Sequence, residues 1–327
     1  MKSIILIIIG LFIYGFTYSQ TEYSERELND MSKTYSFYLG QQTTINEIME
    51  KHPTYKLQAK AAQELWNLKF RTSIENIISE LKNSLSDKFE KFENELLLNM
   101  SLIDYSDVTN EDIEYTIETI KQRANGDIPS PFLETLLYFN PTYQKSPEIE
   151  MVDGYINEYY TKQSEKSGGV NVKIKYPKSW KAENGDRPHV LQKFTHFRGY
   201  EFGSALVMIT KMDEILSKSD IDFLLSDEGL RNQIPNSSKI LSTNNKIIID
   251  NIPTGEITIY YEQQQMSNKL GMISNIYIMY YLDNQITLMC TTGSTVDNYN
   301  KTYNRYLVNK KLFRKIANNL VVLSQYE

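Results

Sequence analysis

The chain has 327 residues, of which 41% are hydrophobic and 23% are charged, and its formal net charge at pH 7 is −6. A chain of this length can bury a sizeable core and often divides into two structural units. The acidic balance argues against a nucleic-acid partner, because neutralising phosphates requires a concentrated basic surface. Cys290 is the only cysteine, so the fold depends on packing and not on an internal disulfide.

Residues 1–19 have the pattern of a signal peptide. Lys2 precedes an uncharged run from Ile4 to Tyr18, and Thr17 and Ser19 are small residues where a signal peptidase needs them. The pattern predicts cleavage before Gln20 and export to the periplasm or the cell exterior, with no membrane span in the mature chain. An uncleaved anchor is the alternative, because the uncharged segment approaches the roughly 20 residues of a spanning helix.

Charge divides the remaining chain into two halves. Residues 20–169 contain 15 basic and 26 acidic residues, a net of 15 − 26 = −11, and residues 170–327 contain 19 and 15, a net of +4. Ser167-Gly168-Gly169 is the strongest loop signal between them. We therefore predict an acidic, all-helical domain over residues 20–168 and a second domain over residues 169–327.

The acidic half has the sequence pattern of a helical bundle. No proline or glycine occurs between Tyr55 and Leu98, and apolar residues recur there at steps of three and four, which predicts one long helix. We interpret its apolar stripe as bundle core, and a surface for a partner helix is the alternative. The stripe consists of Leu57, Ala61, Leu65, Leu68, Ile74, Ile78, Leu81, Leu85, Phe89, Phe92 and Leu96, widened by Trp66, Phe70 and Ile77.

Four further helices are predicted in this half. A capping box at Thr109–Asp112 indicates the start of one helix, and Asn125-Gly126-Asp127 indicates its end. The other three cover residues 25–51, 132–139 and 147–162. The first of them is predicted to be interrupted near Gly40.

From Val170 onward the apolar period changes to two. Val172, Ile174 and Tyr176 alternate with polar residues up to Pro177, which predicts a half-buried strand. Asp283-Asn284 predicts a two-residue hairpin turn. The other predicted strands cover residues 190–194, 205–210, 246–250, 255–262, 273–282 and 285–291, with a helical insert over 220–231 and a closing helix over 296–322. The predicted fold class is α+β, an N-terminal helical bundle followed by an antiparallel sheet flanked by helices.

Several segments of the second half together resemble the PsbP-like domains. They are the strand Val172–Pro177 with Trp180 after it, the Ile249–Gly255 segment before another strand, the long hairpin and the Tyr/Phe-rich closing helix. The PsbP-like group includes extrinsic photosystem proteins and DcrB-type envelope proteins. The resemblance implies an α/β/α sandwich over about residues 170–322 and a role in binding other proteins, and it transfers no catalytic residues.

Catalytic and ligand-binding motifs are not apparent. The chain lacks phosphate-binding loops, nucleophile elbows and the cysteine and histidine spacing of zinc sites, so we predict no cofactor and no metal. Asp186, His189 and His196 are acidic and imidazole groups that lie close together in sequence. We interpret them as polar loop residues, and a hydrolase with a dispersed site is the alternative.

The closing helix supplies the candidate interaction surface. Its basic residues could meet an acidic protein, anionic lipid or the acidic half of the same chain, and a solvated outer face is the favoured interpretation against which this candidate stands. They are Lys301, Arg305, Lys310, Lys311, Arg314 and Lys315. The sequence thus predicts an exported, non-catalytic protein that acts through protein contacts, such as an envelope assembly factor or a toxin-neutralising protein. A small-ligand site between the two domains is a further alternative.

Overall fold

The computed structural model describes residues 23–161, 164–198, 201–265, 268–295 and 299–327. These residues form two compact units, which divide between Gln144 and Lys145. We call them the helical unit and the sheet unit. The predicted signal peptide, residues 1–19, lies outside the described residues, and the predicted domain boundary at residues 168–169 lies within the sheet unit. Among the described residues, no helix combines the length and apolar character needed to cross a membrane.

The helical unit is built from helices whose starts are marked by local hydrogen bonds. Ser24 and Glu27 form a capping box at the start of the first helix, and Thr109 and Asp112 form the predicted one at the start of the fourth. Gly126, with a φ of 94°, follows the end of that fourth helix, as predicted. The helices are α1 (Glu25–Lys51), α2 (Lys56–Leu85), α3 (Lys88–Ser101), α4 (Asn110–Ala124), α5 (Phe132–Tyr138) and α6 (Pro141–Lys145).

Two predictions for the helical unit are wrong. Helix α1 continues through Gly40 without interruption, because Gly40 is buried and tertiary packing outweighs its low helix propensity. The single helix predicted over residues 55–98 is two helices, α2 and α3. Ser86 separates them with a φ of 49°, a left-handed conformation that a helix cannot continue through.

The sheet unit begins with a short helix and a strand where a longer helix was predicted. The helix over residues 147–162 ends at Val152, and Gly154, with a φ of 90°, follows it. Residues 156–160 instead form a strand that pairs antiparallel with Val172–Pro177. The elements of this unit are α7 (Glu148–Val152), β1 (Ile156–Tyr160), β2 (Val172–Pro177), β3 (Lys181–Asn184), β4 (Val190–Arg198), β5 (Glu201–Lys211), α8 (Lys218–Leu224), α9 (Asp227–Asn232), β6 (Lys239–Ile249), β7 (Ile252–Gln265), β8 (Asn268–Tyr281), β9 (Asn284–Thr295), α10 (Tyr299–Asn318) and β10 (Val321–Val322).

The strands described here form two antiparallel sheets. The larger has the order β3-β4-β5-β9-β8-β7-β6, and the smaller has the order β1-β2-β10. Alternate side chains of the larger sheet face two separate apolar cores. One core lies under α10 and includes the small sheet, and the other lies under α8 and α9. This arrangement confirms the predicted α+β class.

The helical insert predicted over residues 220–231 is two helices, α8 and α9, and the hairpin turn and the closing helix also differ from the prediction. Tyr281 pairs with Asn284, so the hairpin turn is Leu282-Asp283, one residue earlier than predicted, and Leu282 has a φ of 52°. The closing helix α10 ends at Asn318, and Val321–Val322 continue as strand β10 beside β2. The first predicted residues of that helix, 296–298, lie outside the described residues.

Candidate functional site

The inner face of α2 supplies much of the core of the helical unit. The Trp66 side chain is fully buried, and its ring stacks on Tyr38 of α1 with the ring centroids 5.4 Å apart. Helix α2 packs against both α1 and α4, and the small side chains of Ala59 and Ala62 allow those neighbours to approach closely. The other buried residues of α2 are Gln63, Phe70, Ser73, Ile74, Ile77, Leu81 and Leu85.

The opposite side of α2 carries a second apolar stripe, which faces solvent. Leu57 is 82% exposed, Leu68 is 81% exposed and Leu65 is 49% exposed, with exposed Ala61 between them. We call these four residues the outer face of α2. The prediction that they belong to the bundle core is wrong, because Trp66 and Phe70, on the opposite side of the helix, determine which face is buried. Exposed apolar groups that lie next to one another mark an interaction surface more often than scattered ones do.

Basic side chains flank this outer face on both sides. Lys60 and Arg71 lie along one edge by helical geometry, and Lys69 lies along the other, all three exposed. Glu64 is the single acidic residue between Lys56 and Arg71. The stripe is therefore a locally basic surface on a unit whose sequence is strongly acidic.

Helix α4, a neighbour of α2, has an outer face of the opposite charge. Glu111, Glu114, Tyr115 and Glu118 recur at helical spacing and are exposed, with Tyr115 66% exposed. We call these four residues the outer face of α4. The hydroxyl of Tyr55, directly before α2, donates to Glu114 across 3.0 Å, which fixes the start of α2 beside α4. The helical unit thus presents a basic apolar strip and an acidic strip on adjacent helices.

The six basic residues predicted as an interaction surface on α10 do not share one outward face. Arg314 turns toward the sheet, where its Nη2 lies 3.2 Å from Oε2 of Glu256, and Arg305 is half-buried. Lys311 Nζ lies 3.8 Å from Oε1 of Glu148. The remaining members vary in exposure: Lys301 and Lys310 are exposed and Lys315 is half-buried. Leu307 and Val308 are exposed on the same helix.

A buried polar network holds α10 on the sheet. Asn275 of β8 is fully buried and makes four hydrogen bonds through its amide. Its oxygen accepts from the hydroxyls of Thr258 and Tyr306, at 2.5 and 3.1 Å. Its nitrogen donates to Glu256 and to the Tyr277 hydroxyl, at 2.9 and 3.0 Å. Since each amide atom has two partners, this network is a structural connection and not an open site.

The structure does not bring Asp186, His189 and His196 together as a catalytic group. Asp186 and His189 are exposed on the β3–β4 hairpin, whereas His196 is partly buried beside Trp180, with the ring centroids 4.9 Å apart. His196 lies seven residues after His189, a separation of up to about 23 Å at roughly 3.3 Å per extended residue. Burial, with a smaller effect of nearby Arg305, lowers the pKa of His196 to about 3.

Glu150 is a buried carboxyl group that the sequence did not mark. The backbone N–H and the hydroxyl of Ser179 donate to its two oxygens, at 2.8 and 2.7 Å. Burial raises the pKa of Glu150 to about 7, against the opposing effect of these hydrogen bonds and one from the Lys178 backbone. No sequence pattern indicates this contact, because it depends on a turn that follows a later strand.

The described residues contain no cluster of three or more metal-ligating side chains. A shallow depression on α3 is open to solvent and lined mainly by charged residues. Its lining residues are Asp87, Glu90, Lys91, Asn94, Glu95 and Leu98. Such a depression lacks the enclosed apolar walls of a small-molecule site.

Comparisons with known proteins find fold likeness only. No family model matches the chain, and no curated protein matches it. LpqN, involved in cell envelope biogenesis of Mycobacterium tuberculosis, is 10% identical over 54% of this chain and 96% of LpqN, with a TM-score of 0.31. The Ran-binding protein Mog1p of Saccharomyces cerevisiae is 10% identical over 51% of this chain and 96% of Mog1p, with a TM-score of 0.32.

A third similar structure, the protein PA94 from Pseudomonas aeruginosa, is 12% identical over 51% of this chain and 97% of PA94, with a TM-score of 0.28. At TM-scores this low, these likenesses carry no argument about function. None of the three is named as a PsbP-like protein, so the resemblance of the second half to that group stays a prediction.

Proposed function

We propose that this chain is an exported, non-catalytic interaction protein that binds another protein through the outer face of α2. The observation that carries the proposal is the exposure of Leu57, Leu65 and Leu68 along one side of a well-packed helix. Burying apolar surface is favourable by about 25 cal/mol per Å², so covering these leucines would stabilise a complex.

The shape and charge of the outer face favour a helical partner. Its apolar residues recur at steps of four, four and three, the spacing with which one amphipathic helix meets another. The flanking basic residues select a partner with acidic residues beside its own apolar stripe. The stripe lacks tryptophan and phenylalanine, which are typical of helices that lie in a membrane surface.

The finer parts of the proposal rest on the sequence. Export to the periplasm or the cell exterior is proposed from residues 1–19, and the role would be that of an assembly factor or of a protein that neutralises a toxin. The basic residues of α10 form a second proposed contact surface. On this helix Lys310 supplies an exposed charge and Leu307 an exposed apolar side chain.

Site-specific photo-crosslinking tests the proposal. A photoreactive amino acid replaces Leu68 in one variant and Lys218 of α8 in the control, where the side chain is 88% exposed. Both variants are irradiated in the native cells, and the cross-linked proteins are identified by mass spectrometry. We expect one dominant protein adduct from position 68, and we expect no adduct of similar abundance from position 218. Equal, diffuse labelling from the two positions would contradict it.

A further inference from the structure

The outer face of α2 has a complement on the same helical unit. We propose that it binds the outer face of α4 in a second copy of this chain, so that the protein forms a twofold-symmetric dimer. This inference rests on the proposed role of the outer face of α2 in protein binding, and it names the partner.

The two faces match in charge. Lys60, Lys69 and Arg71 lie beside the outer face of α2, and Glu64 is the only acidic residue between Lys60 and Arg71. On α4, Glu111, Glu114 and Glu118 are exposed. Opposite charges that meet across an interface set its register and exclude mismatched arrangements.

The adjacency of α2 and α4 makes this match self-complementary. The two helices pack side by side, and the Tyr55–Glu114 hydrogen bond aligns their starts. A twofold axis that is parallel to both helices and lies outside the chain, above the groove between α2 and α4, would place each α2 over the partner copy's α4. One surface then supplies both halves of the contact, as a twofold interface requires.

The alternative twofold arrangement is unfavourable. An axis perpendicular to α2 would lay α2 against α2 of the second copy, so that Lys60 and Lys69 would face the same basic residues. Like charges in apposition cost several kcal/mol in an interface. Charge therefore favours the arrangement that pairs α2 with the partner copy's α4.

Apolar burial supplies the affinity of the proposed contact. Leu57, Leu65 and Leu68 of one copy would cover Tyr115 of the other, and Tyr115 is 66% exposed in the single chain. Tyrosine is enriched in protein interfaces, because its ring buries a large area and its hydroxyl stays hydrated. The surrounding charges contribute a part of the affinity that weakens with salt, since the Debye length falls from about 10 Å at 0.1 M to about 3 Å at 1 M salt.

Sedimentation equilibrium of the predicted mature chain, residues 20–327, tests the inference. The expected result is a concentration-dependent dimer whose Kd rises with salt. The Lys60→Glu/Lys69→Glu variant and the Glu111→Lys/Glu118→Lys variant each place like charges at the proposed contact. For each variant alone, we expect the Kd to rise by about tenfold or more.

Recombining the changes separates the two twofold arrangements. An equimolar mixture of the two variants restores opposite charges at both contacts, and so does one chain that carries all four substitutions. We expect both samples to dimerise. Under α2-to-α2 pairing, the Glu111→Lys/Glu118→Lys variant, whose α2 is unchanged, would instead keep the wild-type Kd. Circular dichroism of each variant confirms that the helices are intact.

The outcomes also separate this inference from the proposed function. A wild-type chain that is monomeric at every concentration overturns the dimer, as does a dimer that the charge reversals leave unchanged. The photo-crosslinking experiment tests the proposed function independently. An adduct with a different protein at position 68, together with a monomeric purified chain, would overturn the dimer and support the proposed function.

Discussion

Arg314 of α10 and Glu256 of β7 form an ion pair between the closing helix and the large sheet, with Nη2 of Arg314 3.2 Å from Oε2 of Glu256. The guanidinium carbon of Arg314 also lies 5.6 Å from the ring centroid of Tyr277. The other carboxylate oxygen of Glu256 accepts from Asn275, so the ion pair joins the buried network under α10. This connection positions the helix that carries the predicted basic surface.

Replacing Arg314 tests the strength of this connection. In Arg314→Met, Glu256 keeps its Asn275 contact but loses its cation, and its side chain is only 13% exposed. We expect the free energy of unfolding of the sheet unit to fall by about 1–3 kcal/mol. Urea unfolding followed by Trp180 fluorescence measures it, in a Trp66→Phe background that leaves no other tryptophan. Lys310→Met, on the exposed side of α10, is the matched control, with an expected change within about 0.5 kcal/mol.

Glu150 gives the sheet unit a pH dependence of defined sign. Its folded-state pKa of about 7 lies above the ordinary value of 4.5, so the folded state binds more protons between these values. The contribution of Glu150 to the free energy of unfolding therefore falls as the pH rises from about 4.5 through 7. The Glu150→Gln variant should lose this decline, whereas exposed Glu228→Gln should keep it. An unchanged pH profile in Glu150→Gln would show that the buried carboxyl is not responsible.

His196 should act in the opposite direction over an overlapping pH range. Its folded-state pKa of about 3 lies below the ordinary value of 6.5, so the unfolded chain takes up a proton first as the pH falls. The contribution of His196 to stability is fully present above about pH 6.5 and is lost as the pH falls toward 3. We expect the free energy of unfolding of His196→Gln to depend less steeply on pH between these values than that of the wild type. Urea titrations at a series of pH values measure it. Parallel curves for the two proteins would contradict this assignment.

The two faces of α2 should respond differently to substitution. Leu68→Lys changes a side chain that is 81% exposed, so the free energy of unfolding of the helical unit should change by less than about 0.5 kcal/mol. Leu81→Ala opens a cavity at a fully buried position and should cost about 2–5 kcal/mol. Thermal unfolding followed by circular dichroism compares them. A large loss of stability in Leu68→Lys would mean that this leucine is part of the core.

The sequence predicted elements whose signals are local. The Thr109–Asp112 capping box marked the start of α4, because both of its hydrogen bonds lie within one helical turn. The alternation from Val172 to Tyr176 marked β2, since period two is a direct consequence of strand geometry. The break at Ser86 was missed, because serine disfavours the left-handed conformation and gives no sign that it will adopt it.

Features that depend on distant contacts could not be predicted in the same way. Both sides of α2 carry apolar residues at helical spacing, so periodicity alone could not tell whether Leu57 or Trp66 faces the core. The inward turn of Arg314 depends on Glu256 and Tyr277, which lie on neighbouring strands far away in sequence. The burial of Glu150 likewise depends on the turn at Ser179. The sequence shows the acidic residues of α4, but it does not show that α4 packs beside α2.

Thiol labelling in the native cells tests the central claim, that the outer face of α2 is covered by a protein. Cys290 is fully buried, so a Leu68→Cys variant carries one accessible thiol among the described residues, and Lys218→Cys provides an exposed control. The account predicts that a maleimide labels position 68 much more slowly than position 218 in intact cells, and that the rates become similar after purification and dilution. Equal labelling rates at the two positions in cells would contradict the claim.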